Sequence, residues 1–198
     1  TMTIAQGLYE GVDVGNGQEG LITYMRTDST RLSDVYVKAA QNKIVTEYGK
    51  DYLGFYHVKN DANAQDAHEA IRPTNLAYTP ESIQSHLTSE QYKLYKLIYC
   101  RALASLMSNA KYNSVSVTLS RNGYDFTASG SRLTFDGWLK VYGDYDSSKD
   151  VLLPELKIND SLSPVEIKPN QHFTEPPARY TEAKLIKEME DKGIGRPS

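Results

Sequence analysis

Hydrophobic positions change period near Asn109 and change back after Pro176-Pro177. Before Asn109 they recur mostly at helical spacing; between the two changes they alternate, as in strands. Ile4, Leu8 and Tyr9 give one apolar side to a short helix over Met2–Glu10, which Gly11 can end. Ser33 is an N-cap for a helix over residues 34–48, with Gly49 at its far end. Val35, Ala39, Ala40, Ile44 and Tyr48 form its expected buried side. Thr79-Pro80 starts a short helix with proline at the favoured first position. Thr88-Ser89-Glu90-Gln91 reads as a capping box before a long helix to about Met107. Leu94, Leu97, Ile98, the stem of Arg101, Ala104 and Leu106 make its broad apolar side.

Beyond Asn109, Val115, Val117 and Leu119 alternate with Ser114, Ser116, Thr118 and Ser120. Asn122-Gly123 follows, and then Tyr124, Phe126 and Ala128 alternate with Asp125, Thr127 and Ser129. That pattern predicts a tight hairpin. Residues 135–142 read as a third strand and 164–168 as a fourth. Between them, residues 144–150 are polar and carry Asp144-x-Asp146, but the next alternate position is Ser148, so no third acid completes a metal-binding set. Thr181 can cap a helix over residues 182–191 with Leu185, Ile186 and Met189 on its apolar side, and Gly193 can end it. The pattern predicts an α+β chain: a helical domain over residues 1–110, an antiparallel β unit over 111–172, and the entry to a further helical domain over 173–198. There are no internal repeats.

Composition narrows the function classes. At 198 residues, 39% hydrophobic and 24% charged, the chain can bury a sizeable core. No apolar run approaches the roughly 20 residues that span a bilayer, so no membrane partner is expected. No signal peptide is visible, and the single Cys100 cannot form an internal disulfide, which points to a reducing, cytoplasmic compartment. His57, His68, His86 and His172 show no metal-ligand spacing with one another or with Cys100, so no metal site is expected in the chain itself. The net charge of −3, without a Lys/Arg run, does not by itself point to nucleic acid. Fifteen tyrosines offer stacking surface for bases, but core or surface packing accounts for most of them more simply. Gly15-Asn16-Gly17-Gln18-Glu19-Gly20 is formally G-x-G-x-x-G, yet a β-like run follows where a dinucleotide site needs a helix.

That run, Gly20-Leu21-Ile22-Thr23-Tyr24-Met25-Arg26-Thr27-Asp28-Ser29-Thr30, carries the candidate chemistry. If it is extended, Tyr24 and Arg26 share a face and Thr23 and Met25 lie opposite. A guanidinium two residues from a phenol could stabilise phenolate and hold a phosphate by two parallel hydrogen bonds. Asp28 and Ser29 can fix the turn that follows. Further on, Asp66-Ala67-His68-Glu69 resembles a capping box that opens a brief helical turn, stopped before Pro73, with His68 in the first turn and Arg72 close by. From the residues alone two readings stand: a site for attack on a phosphodiester, or a half-buried strand entering a turn beside a self-satisfied polar cluster.

The wording of three segments adds a resemblance. Ile22-Thr23-Tyr24-Met25-Arg26-Thr27-Asp28-Ser29 resembles the nucleophile motif of the bacterial type IA DNA topoisomerases. Gln65 to Pro73 is similar to a second motif of that family, and Gln171 to Tyr180, running on to Gly193-Ile194-Gly195-Arg196-Pro197-Ser198, to a third, in the same order. The resemblance spans essentially the whole chain and is to the middle of such an enzyme. It implies the tyrosine-bearing domain, part of the β arch that swings it, and the entry to the next helical domain. It implies cutting of one DNA strand by tyrosine, with a 5′-phosphotyrosine link, passage of another strand and resealing without ATP. Tyr24 would be the nucleophile, Arg26 would hold the scissile phosphate, and His68 would hydrogen-bond there. Arg72 and Arg196 would be further DNA contacts. The implied partners are single-stranded and negatively supercoiled DNA and the enzyme's remaining domains. The implied cofactor is magnesium, held by an acidic toprim domain whose D-x-D-x-E set this chain lacks, so the chain alone is expected to be inactive. The rival reading is a non-catalytic single-strand-binding or structural module in which Tyr24 is an ordinary packed tyrosine.

Overall fold

A computed structural model of the chain describes residues 1–15, 17–27, 29–57 and 68–194. The fold is α+β, in two compact units, Thr1–Val151 and a second from Leu152 onward. In the first unit α1 (Met2–Glu10) leads into a minimal hairpin of β1 (Val12–Asp13) and β2 (Gln18–Glu19). Among the described residues the glycine-rich loop leads into β2 and not directly into a helix. Then come α2 (Asp34–Tyr48), α3 (Pro80–Ile83) and α4 (Ser89–Ala104). The long hairpin of β3 (Lys111–Arg121) and β4 (Tyr124–Phe135) follows, and a single turn, α5 (Leu139–Tyr142).

Side chains fix the helix starts where the sequence suggested. Ser33 Oγ accepts from the Tyr36 amide, and Thr79 Oγ1 accepts from the Ser82 amide behind Pro80. At α4 the capping box is complete: Thr88 Oγ1 accepts from the Gln91 amide, and Gln91 Oε1 accepts from the Thr88 amide. The core lies between α1, α2, α4 and the Tyr24 segment, with Leu8, Leu21, Ile22, Ile44, Tyr95, Leu103 and Leu106 fully enclosed. Tyr95 and Tyr99 belong to it, their hydroxyls donating to the carbonyls of Tyr78 (2.7 Å) and Leu76 (2.9 Å).

Helix faces are the first correction. On α2 the buried residues are Tyr36, Val37, Ala40 and Ile44, and Val35 is 81% exposed. The helix is rotated from the expected face because its first turn is held from the other side, by Glu69 at Ser33 and by the Arg72 guanidinium 4.8 Å over the Tyr36 ring. On α4, Tyr95, Tyr99 and Leu103 are buried, while Leu94 and Ile98 only flank the core. On α1, Ala5 and Leu8 are buried and Tyr9 is 41% exposed.

The hairpin is as expected and longer. Arg121 pairs with Tyr124, and Asn122 and Gly123 both take positive φ (52° and 81°), the conformation a two-residue turn of this kind requires. The predicted third strand is not one. Phe135 closes β4, Gly137 turns at φ 49°, and the Trp138 amide donates to the Ser108 carbonyl (2.9 Å). Trp138 and Val141, three residues apart, then pack on the core from a helical turn. That spacing puts them on one side of a helical turn but on opposite faces of a strand, and the Tyr52 hydroxyl donating to Asp136 (2.6 Å) pins the turn in place. Asp144, in the polar segment, pairs with Lys96 (3.0 Å).

In the second unit α6 (Glu182–Asp191) is capped by Thr181 and ends at Gly193, where the Ile194 amide donates to the Met189 carbonyl (2.7 Å). The expected strand at 164–168 does not form. Val165 and Ile167 are exposed, and no ladder partner lies beside them among the described residues.

Two glycines test this packing. A Cβ on Gly54 would lie 2.3 Å from the Met107 carbonyl oxygen, and the Gly54 amide donates to the Leu106 carbonyl (2.9 Å), so neither backbone can yield cheaply. Gly143 sits in right-handed helical backbone with open space where a Cβ would go. Gly54→Ala should therefore lower unfolding free energy by about 1–3 kcal/mol, whereas Gly143→Ala should raise it by about 0.4–1 kcal/mol. Urea unfolding of both variants checks the contrast.

Candidate active site

The Tyr24 segment begins inside the core and leaves it. Leu21 and Ile22 are buried on both faces, held by the Leu21 amide donating to Leu8 O (2.8 Å) and the Thr74 amide donating to Leu21 O (3.0 Å). From Thr23 the expected alternation appears: Met25 is 5% exposed, and Tyr24, at 37%, and Arg26 face outward. Arg26 makes no hydrogen bond or ion pair with any described residue, so its planar fork is available to an incoming anion. The Thr27 hydroxyl accepts from the Ser29 amide and the Ser29 hydroxyl from the Arg31 amide, so short side chains hold the turn beyond; Asp28 lies outside the described residues.

A second segment, residues 68–74, lies antiparallel to it, with Ile22 opposite Pro73. The Thr23 amide donates to the Arg72 carbonyl (3.0 Å), and the Thr23 hydroxyl donates to the Ala70 carbonyl (2.8 Å) while accepting from the Arg72 amide (3.0 Å). This pairing brings His68 to Tyr24, with ring centroids 5.3 Å apart and planes tilted by 41°. The contact is ring to ring, and no hydrogen bond joins the two side chains. Tyr9, from the end of α1, meets Tyr24 edge-on from another direction at 5.5 Å.

Asp66, the expected start of a capping box, lies outside the described residues, and residues 68–70 are not helical. His68 is therefore not in a first helical turn. Glu69 caps a different helix: its carboxylate accepts from the Ser33 amide (3.0 Å) at the start of α2. The same carboxylate takes Arg72 by two bonds, from Nε (2.8 Å) and from Nη2 (3.2 Å). Arg72 Nη1 donates to the Pro73 carbonyl (3.0 Å), and Nη2 also reaches Ser33 Oγ (3.4 Å). With its side chain only 14% exposed and all three nitrogens engaged, Arg72 is a tether between the 68–74 segment and α2 in this arrangement, and a phosphate would have to displace Glu69 to reach it. Arg196 lies outside the described residues.

Of the residues singled out in the sequence, Tyr24 and His68 lie ring to ring, and Arg26 is exposed as Tyr24 is. Sequence reasoning missed Thr23 as a bridge, Glu69 as a cap and Tyr9 as a neighbour of Tyr24. The D-x-x-E spacing pointed to a cap but not to which helix, and nothing local links Tyr9 to Tyr24. Among the described residues no group of three His, Cys, Asp or Glu side chains is placed to hold a metal ion, and no helix is long and apolar enough to cross a membrane. The Tyr36 hydroxyl is buried without a partner, and burial pushes its pKa up against the opposing influence of Arg72.

The tether carries a pH dependence. Partial burial works to raise the Glu69 pKa, but hydrogen bonds from Arg72 and the Ser33 amide, with the Arg72 charge, outweigh it and hold the carboxyl below its ordinary value of 4.5. A lowered folded-state pKa contributes stability that is complete above the unfolded value and is lost as pH falls through the folded one. Glu69→Gln should cost about 1–3 kcal/mol at pH 7, and the difference from native should shrink as pH is taken well below the ordinary value of 4.5. Urea unfolding at neutral and at acid pH measures this, and a pH-independent difference would remove the ion pair as its cause.

With this geometry in hand, comparison with known proteins is informative. A family model described as DNA topoisomerase matches residues 1–198. The chain is 50% identical over 202 residues to DNA topoisomerase 1 of Helicobacter pylori (strain ATCC 700392 / 26695), covering 100% of this chain and 27% of that protein. It is 49% identical to DNA topoisomerase 1 of Campylobacter jejuni, covering 28% of it. Among solved structures, full-length topoisomerase I from Thermotoga maritima superposes with a TM-score of 0.83 at 42% identity, over 99% of this chain and 32% of that one. The chain thus spans about a quarter of the curated relatives it matches, and it belongs to the bacterial DNA topoisomerase I family.

Proposed function

We propose that this chain is the nucleophile-bearing part of a type IA DNA topoisomerase. In that reaction the Tyr24 phenol oxygen attacks a phosphodiester of one DNA strand. The new bond is Oη–P and the broken bond is P–O3′. The 5′ end is left on Tyr24, and the phenol proton goes, in net terms, to the departing 3′ oxygen. A second strand passes, and the 3′ hydroxyl reverses the step, so negatively supercoiled DNA relaxes without ATP. The observation that carries this reading is an exposed phenol with an imidazole ring in contact with it and, two residues along, an exposed guanidinium that engages no described residue.

Each group has a role within that proposal. Tyr24 is the nucleophile. Arg26 holds the scissile phosphate and stabilises charge developing on it. His68 hydrogen-bonds at the same phosphate or assists proton movement, a bond that tightens only when DNA is present. Arg196, and more weakly Arg72, are additional phosphate contacts. Magnesium, when bound, supplies charge stabilisation and is held by residues of a toprim domain, not by this chain. The proposed partners are single-stranded and negatively supercoiled DNA and the other domains of the enzyme. The division of labour is a tyrosine domain over 1–110, an arch segment over 111–172 and a domain entry over 173–198. The chain by itself is proposed to be inactive, and its net charge of −3 gives it weak, salt-sensitive affinity for DNA.

In a full-length enzyme carrying this segment, Tyr24→Phe should abolish covalent capture of a single-stranded oligonucleotide while changing its binding less than threefold. Only the hydroxyl is lost. Denaturing gels of the trapped adduct give the readout, and normal capture by the variant would sink the assignment. Arg26→Lys keeps the charge and loses the planar fork, and cleavage should slow at least tenfold, about 1.4 kcal/mol in the barrier. Unchanged single-turnover rates would move Arg26 out of the site.

A further inference from the structure

Residues 68–74 are tied to the rest of the first unit in three places. One tie runs to the approach to α2, through the Ala70 amide on Arg31 O (2.7 Å) and the Glu69 carboxylate on the Ser33 amide. A second runs behind the nucleophile, through the Thr74 amide on Leu21 O and the Thr74 hydroxyl on Gly20 O (2.6 Å). The third faces the segment that carries Tyr24, and Thr23 makes all of it. Among the described residues every hydrogen bond between residues 22–26 and 68–73 has Thr23 as one partner.

The chemistry of that residue is specific. A hydroxyl can donate one hydrogen bond and accept others at the same atom. Thr23 Oγ1 uses both abilities, donating to Ala70 O and accepting from Arg72 N. It therefore grips the opposing backbone at two points, 70 and 72, where the amide of residue 23 reaches only one. Its own next residue is Tyr24, and Ala70 is two residues from His68. The two rings, 5.3 Å apart, hang from opposite sides of this junction with no hydrogen bond of their own to hold them together.

We propose that Thr23 is a positioning residue: its hydroxyl sets the register between the Tyr24 and His68 segments and so holds the imidazole against the nucleophile. The inference rests on the reading of Tyr24 as nucleophile and His68 as its assistant. Thr23 itself touches no reacting atom. Valine has the same shape as threonine but can neither donate nor accept, so Thr23→Val leaves Ala70 O and Arg72 N unpaired without emptying the space. Serine keeps the hydroxyl and loses only a methyl.

The test uses a full-length topoisomerase carrying this segment and a single-stranded oligonucleotide at saturating concentration. Single-turnover formation of the covalent adduct is followed beside binding by anisotropy. Thr23→Val should slow adduct formation at least tenfold with the dissociation constant unchanged within twofold, and Thr23→Ser should stay within threefold of native. In a His68→Ala background, Thr23→Val should cost less than threefold, because the group it positions is gone. A merely structural role would not produce that loss of effect. Should Thr23→Val not fold, as judged by its thermal transition, Thr23→Cys, a weak donor and acceptor, replaces it in the same comparison. Native rates for the valine or cysteine variant overturn the proposal, as does a serine variant as slow as valine, or an undiminished cost without His68. Tyr24→Phe, run alongside, separates the two levels. An adduct that survives it refutes the nucleophile reading. Its disappearance, with Thr23→Val at native rate, refutes the positioning role alone.

Discussion

The site depends on one antiparallel contact, between Thr23 and the backbone of residues 70–72. The paired residues are 47 to 49 apart in sequence. Closing a loop of that length costs entropy, though the cost grows only slowly with length. Burial of Ile22 and Pro73 on the core side of the contact offsets it. The contact also explains why a tyrosine so close to the core is exposed. Leu21 and Ile22 occupy both faces of a chain enclosed on both sides, and two residues later only one face is still covered. Met25 takes that face, so Tyr24 and Arg26 turn outward. The nucleophile candidate is therefore anchored by its predecessors and partly exposed at its ring, which Tyr9 and His68 touch.

Two arginines near this contact have opposite fates, and electrostatics decides which is which. Arg72 is mostly buried, and a buried guanidinium is costly without a partner. Glu69 supplies the partner, and the pair holds the 68–74 segment to the start of α2 and to Tyr36. Arg26 is exposed, engages no described residue and carries no such desolvation cost. Among the described residues, then, Glu69 is engaged by Arg72 and leaves the Arg26 charge unpaired.

Much of this was legible before any coordinates. Ser33, Thr79, Thr88 and Thr181 cap helices as their sequence positions suggest, because a cap is a local event decided within about four residues. The Asn122-Gly123 turn is local in the same sense. What failed is what depends on distant partners. Val35 reads as a core residue of α2, but the helix is rotated by contacts from residues 69 and 72. Residues 135–142 alternate well enough for a strand, yet Ser108 and Tyr52 hold a turn at 136–138 and the apolar pair 138/141 finds the core from a helix. Val165 and Ile167 have strand-forming side chains, but without a ladder partner that preference does not produce a strand. At the site, the candidate side chains were visible in the motif, and the contacts made by Thr23 and Glu69 were not. Their partners are backbone atoms some 36 to 49 residues away.

The exposure of Tyr24 sets a limit on what this surface does alone. On the proposed reading a phenol must lose a proton and a 3′ oxygen must gain one, with charge held on the phosphate between them. Arg26 meets the need at the phosphate, and His68 lies against the attacking side. Among the described residues no group of three His, Cys, Asp or Glu side chains is placed to hold a metal ion. A nucleophile buried under its own chain would need no second surface, but it could not admit a DNA strand either. An exposed one can accept the strand only by leaving half its contacts open. On that reading, the groups that assist the leaving oxygen would approach across the face that Tyr24 and Arg26 share.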